Sequence, residues 1–144
     1  MTQTAWTVRT LKTALDAVGE DGPALTATVV EGVDPVLLVT MTDAGNLQIF
    51  VSVSDQQIAA NVLLWPVDEQ PDRHAFNEFL LKAQKLVPLS NFGITTVGDR
   101  EYYELFGELS TTSSIEDILI ELQMLADNAI EAASDLRSSF SPAA

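Results

Sequence analysis

A chain of 144 residues with 47% hydrophobic content is the right size for one domain with an ordinary packed core, needing no metal or disulfide staple. The absence of cysteine excludes a disulfide framework, a thiol nucleophile and a zinc–thiolate site. A formal net charge of −14, with only seven dispersed Lys and Arg residues, argues against nucleic acid or anionic lipid as a partner.

The first segment, Thr4 to Val18, has helical spacing. Val8, Leu11, Leu15 and Val18 recur at three and four and stack on one face. Gly19 ends it, and Glu20 to Pro23 forms a loop. Nothing before it combines a basic start with an apolar run, and the longest apolar run, Val62 to Val67, is far too short to span a bilayer. The expectation is a cytoplasmic protein without membrane insertion.

Four strands are predicted next. Leu25 to Val30 alternates between apolar and polar positions, and Val36 to Met41 is almost wholly apolar. The turn Asp43 to Asn46 leads into Leu47 to Ser54, where Leu47, Ile49, Val51 and Val53 share one face. Phe50 lies on the other face with Gln48 and Ser52. Ile58 to Val67 is the fourth, ending at Pro66, which has no N–H to donate. A second helix starts near Asp72, read as its N-cap, carries Phe76, Phe79, Leu80, Ala83 and Val87, and ends at Pro88.

Phe92 to Val97 and Glu101 to Leu109 form a hairpin around Gly98, Asp99 and Arg100. Tyr103, Leu105 and Leu109 share one face of it; Tyr102, Glu104, Phe106 and Glu108 share the other. The last helix, from about Ser114 to Ser138, opens with a capping box of Ser113 and Glu116. Ile115, Ile118, Leu119, Leu122, Leu125, Ala126, Ala129, Ile130 and Ala133 form its apolar stripe, with Ile120 and Met124 on the opposite side. Residues 1–138 are read as a single α+β domain, an antiparallel sheet packed by helices in the order α-β-β-β-β-α-β-β-α. Residues 139–144 are read as a frayed tail.

Catalytic chemistry has little to stand on. His74 is the one histidine, set in the first turn of a helix without positioned partners. No P-loop, dinucleotide fingerprint, zincin or serine-hydrolase motif occurs, nor a Ca²⁺ loop. No catalytic residue, metal ligand or cofactor is expected. The aromatic residues say more. Tyr102 and Phe106 between Glu104 and Glu108 suit docking of a basic amphipathic segment of a protein partner, with Phe50 and Trp65 as further candidates. Ile120 and Met124 are candidates for self-association as a homodimer, through the last helix or a sheet edge.

The segments LLWPVDE, VPLSNFGI and YYELFGELS, followed by SSIEDILIELQMLADNAIEAA, together resemble the YjfI-like family of bacterial proteins. The resemblance covers roughly residues 58–135 and, more weakly, the whole chain. It implies no enzymatic activity. It does imply a cytoplasmic accessory role in envelope stress, because the family's genes are expected near those of proteins resembling the phage-shock protein PspA. The element order is also similar to that of type III secretion chaperones and YbjN-like proteins, which are small, acidic, commonly dimeric and non-catalytic. This chain carries one strand more than they do before its second helix. The expectation is a non-catalytic protein-binding or chaperone-like adaptor. The alternative is a small-ligand sensor or regulatory module with its ligand between sheet and helix.

Overall fold

A computed structural model describes residues 4–136. Three helices, α1 (Val8–Asp16), α2 (Arg73–Ala83) and α3 (Ile115–Glu131), accompany six strands: β1 (Leu25–Val30), β2 (Val36–Met41), β3 (Leu47–Val53), β4 (Ile58–Pro66), β5 (Asn91–Val97) and β6 (Arg100–Leu109). The element order is the one read from the sequence. The strands form one antiparallel sheet in the order β1-β2-β3-β4-β6-β5. Hairpins join neighbours from β1 to β4, while the β5–β6 hairpin folds back so that β6 lies beside β4 and β5 becomes an edge.

One sheet face carries the core. Leu37, Val39, Ile49, Val51, Ile58, Val62, Tyr103 and Leu105 are buried there, under Leu11 and Leu15 of α1, Phe76 and Leu80 of α2, and Ile118, Leu122 and Leu125 of α3. Helix α1 packs on β1 to β3, and α3 on β3, β4 and β6. Trp6 fastens the start of the described chain to the β6–α3 connection. Its backbone N–H donates to the Thr111 carbonyl at 2.9 Å and its indole N–H to the Ser113 carbonyl at 2.7 Å.

Helix ends differ from the sequence reading because capping is decided by backbone geometry. Helix α1 starts at Val8, where Thr7 and Thr10 cap each other reciprocally. Asp72 precedes α2 but makes no side-chain cap bond; it takes a left-handed conformation at φ 49° in place of the extended one an N-cap residue adopts. Helix α2 ends at Ala83, and a 3₁₀ turn, Gln84–Leu86, follows before Pro88 is reached. Ser114, not Ser113, caps α3 by accepting from the Asp117 N–H at 3.1 Å. Beyond Glu131, α3 widens into a π turn, Ala132–Leu136, which buries Ala132 and leaves Ile130 and Ala133 exposed. The expected continuation to Ser138 and the expected frayed tail, 139–144, lie outside the described residues.

No helix among the described residues is long and apolar enough to cross a membrane. Ile120 is exposed and Met124 half-buried on the outer side of α3.

Candidate functional site

Strand alternation builds the site. On β6, Tyr103, Leu105 and Gly107 face the core, so Tyr102, Glu104, Phe106 and Glu108 face the other way. Ladder register extends that face across the sheet. Leu38, Phe50, Asn61, Phe106 and Asn91 form one lateral row, and Leu63, Glu104 and Gly93 form the next. Phe50 and Phe106 are two strands apart, roughly 10 Å, with Asn61 between them. Tyr102 stands roughly 13 Å along the strand from Phe106, with Glu104 between.

No helix among the described residues covers this face. From Thr26 and Thr28 on β1 to Gly93 and Thr95 on β5, no residue on it is fully buried. Leu38, Phe50, Leu63, Tyr102 and Phe106 are half-buried, and Val30 and Glu108 are exposed. Asn61 holds Glu104 by donating from Nδ2 to Oε2 at 3.1 Å. The Phe106 ring leans over Gly93, where a β-carbon would meet ring Cε1 at 3.0 Å. The ring can settle there because Gly93 offers no side chain. Beside Tyr102, the Arg100 guanidinium lies 5.8 Å from the ring centroid. It also donates to Asp68 at 2.7 and 3.0 Å and to Glu69 at 3.0 Å. That bonding holds the Asp68 carboxyl below the usual aspartate range and raises the guanidinium.

Trp65 is not part of this surface. A bulge between Leu63 and Pro66 sets two residues of β4 against Tyr103 alone. Simple alternation from Val62 would turn Trp65 outward; the extra residue turns it in. Only 3% of Trp65 is exposed. Its indole N–H donates to Gln70 Oε1 at 2.9 Å, and its ring packs 6.0 Å from Phe76 and 5.8 Å from Tyr103.

The hairpin lies where the spacing puts it. Gly98 and Asp99 are the two turn residues, Gly98 at φ 66°, and Arg100 already belongs to β6. Tyr103 and Leu105 are buried and Glu104 is half-buried.

Two buried polar groups on α3 escaped the sequence reading. Glu121 is 4% exposed, sits over Gly107, and has no hydrogen-bond partner for Oε1. Burial raises its pKa above the ordinary glutamate value. Asn128 donates to the Pro88 carbonyl and to Ser90 Oγ, each at 2.9 Å, and so braces Leu89 at φ 63°. The available signal was helical spacing: Glu121 follows Ile118 by three and precedes Leu125 by four, on the buried stripe. Glu121 does not line the cavity between α2 and β5, nor the one between α2 and the end of α3. Among the described residues no three His, Cys, Asp or Glu side chains gather as a metal site would require, and His74 is exposed.

A cavity of about 300 Å³ opens between α2 and the β5 edge, lined by Asn77, Leu80, Leu81, Phe92, Ile94 and Tyr103 among others. Its two polar side chains bond each other, with the Tyr103 hydroxyl donating to Asn77 Oδ1 at 2.6 Å.

The fold and this surface define an α+β domain whose six-stranded antiparallel sheet is helix-covered on one face and open on the other. The chain belongs to DUF2170, a family described as an uncharacterized protein conserved in bacteria, which matches residues 5–140. It is 39% identical over 128 residues to the uncharacterized protein YjfI of Escherichia coli strain K12, covering 89% of this chain and 92% of that one. YjfI of Escherichia coli O157:H7 matches to the same extent.

Proposed function

We propose that this protein is a non-catalytic, protein-binding or chaperone-like adaptor of the bacterial cytoplasm, and that its partner lies on the open sheet face. The supporting observation is that nothing among the described residues covers Leu38, Phe50, Leu63, Tyr102 and Phe106, which make a half-exposed apolar band bordered by Glu104 and Glu108. A basic amphipathic helix fits such a band, with apolar side chains on the rings and Lys or Arg on the acids. Aromatic anchors carry most of the affinity in this kind of contact, while rim charges set on-rate and salt dependence. A PspA-like membrane-stress protein is the class of partner that links the adaptor to envelope stress.

A pull-down from native cells tests the reading. Tyr102→Ala with Phe106→Ala is expected to lose the partner while remaining folded, and Glu104→Gln with Glu108→Gln to weaken capture chiefly at low salt. A folded aromatic double variant that keeps its partner overturns it. The alternative, a small-ligand module, draws on the cavity between α2 and β5. That cavity has less support because Asn77 and Tyr103 already satisfy each other, leaving few polar groups converging on a ligand. A carboxylate enzyme draws least support, because Glu121, whose pKa burial raises, faces Gly107 rather than a cleft.

A further inference from the structure

Strand β5 is an edge of the sheet, and its backbone groups can be accounted for one by one. The Gln84 side chain mimics a neighbouring strand at Phe92. The Phe92 N–H donates to Gln84 Oε1 at 2.6 Å, and Gln84 Nε2 donates to the Phe92 carbonyl at 3.0 Å. Phe92 therefore turns both groups away from β6 and forms a non-hydrogen-bonded pair with Leu105. By alternation, Ile94 and Thr96 also point outward, while Gly93, Thr95 and Val97 bond to β6. No described group meets the outward N–H and C=O of Ile94 or Thr96.

Edges of this kind are normally blunted by charge, proline or a bulge. Asn91–Val97 has no charged residue and no proline, and its register with β6 is unbroken. Apolar side chains collect beside it. Of the nine large hydrophobic residues that stand exposed among the described residues, Leu81, Leu86, Leu89, Ile94 and Val97 fall in this one stretch. The charge is also unlike that of the rest. Residues 73–97 carry Arg73, Lys82 and Lys85 against Glu78 alone, in a chain of net charge −14.

We propose that β5 is a dimerisation edge, on which a second copy of this chain pairs its own β5 antiparallel about a two-fold axis at Thr95. Ile94 then lies opposite Thr96 of the second copy, and Thr96 opposite its Ile94, and each pair exchanges both N–H···O=C bonds. A register centred on Ile94 would set Thr96 against Phe92, whose groups Gln84 already occupies. The Thr95 register bonds the open groups of Ile94 and Thr96 to each other and asks for no bond from Phe92, which then faces Gly98 of the second copy where that strand has already turned. It also brings the Gly98–Asp99 turn of the second copy opposite Phe92 and Asn91, beside the turn that carries Lys85. Asp99 and Lys85 are then complementary across the joint, on the part of the surface where two acidic chains repel each other least. Both α2 helices flank the joint on one face of the joined sheets, with the exposed Leu81 side chains beside it.

Sedimentation equilibrium on the full chain tests this, together with amide exchange across a concentration series. A dimer is expected for the unaltered protein. Thr96→Lys, which puts a cation on the exposed edge and leaves the β5–β6 ladder intact, is expected to be a folded monomer. Lys85→Glu is expected to weaken dimerisation several-fold, and adding Asp99→Lys to restore it. The Ile94 and Thr96 amides are expected to become protected as concentration rises, while Phe92 is protected throughout. A monomer at all concentrations overturns the proposal, whether or not some other extended peptide binds the edge. So does a folded Thr96→Lys dimer, a charge swap that fails to compensate, or exchange at Ile94 and Thr96 that ignores concentration.

Discussion

Glu121 lies over Gly107, its Oε1 standing where a β-carbon on Gly107 would be. Gly107 does not accept a β-carbon while Glu121 is in place, because α3 closes on β6 at this point with the Leu89 carbonyl 3.2 Å from the same position. Gly107→Ala is expected to destabilise the fold by about 1–3 kcal/mol, as overpacking of a filled site does. Glu121→Ala should recover part of that loss in the double variant, and urea denaturation of the four combinations measures the coupling.

The buried Glu121 carboxyl also gives a pH dependence. Its pKa is higher folded than unfolded, so the folded state holds its proton more firmly. The protonated form contributes full stability below the unfolded value. That contribution declines as pH rises from the unfolded to the folded value, and then levels. Glu121→Gln removes the titration, so its stability relative to the unaltered chain should improve across that window and be flat below it. Urea melts over a pH series check the slope; a difference that shrinks with rising pH is the wrong sign.

Trp65 and Phe106 should differ widely in their response to truncation. Trp65→Ala empties a site among Phe76, Tyr103 and Gln70 and is expected to cost about 3–5 kcal/mol. Phe106→Ala loses only a half-exposed ring over Gly93, a cross-strand contact of about 0.2–1 kcal/mol. Thermal and urea unfolding of the two variants gives the comparison.

That contrast marks how far the sequence carries. Period-two spacing placed Tyr102, Glu104, Phe106 and Glu108 on one face of β6, and Phe50 with Gln48 and Ser52 on one face of β3, because alternation is a local property of each strand; that the two faces are the same one comes only from the ladder register. It failed at Trp65, since a bulge depends on how β4 meets β6, and no residue type between Leu63 and Pro66 announces it. Gln84 bonding to Phe92, and Glu121 filling the space over Gly107, are likewise meetings between different elements that no single-strand or single-helix pattern encodes. The α3 cap falls one residue beyond Ser113 because Ser and Thr stand in a row there and only the backbone angle selects among them, and α1 starts at Val8 rather than near Thr4 because Thr7 and Thr10 cap each other.

Asp68 and Arg100 give an electrostatic check on the hairpin's docking. The guanidinium holds the Asp68 carboxyl below its ordinary range, so Asp68 adds stability above its unfolded value and loses it as pH falls through the folded one. The pair is exposed, so the stability change in Arg100→Gln should be small. Titration followed by NMR should show the Asp68 carboxyl moving up toward its ordinary value in that variant.

The most direct test of the open face is an NMR titration of the isotope-labelled protein with a basic amphipathic helical peptide, read residue by residue. The largest shifts are expected in the row Leu38, Phe50, Asn61 and Phe106 and at Tyr102 and Glu104, with loss of those shifts in Tyr102→Ala with Phe106→Ala. Shifts centred instead on Asn77, Leu80 and Tyr103, with the outer row unmoved, would contradict it.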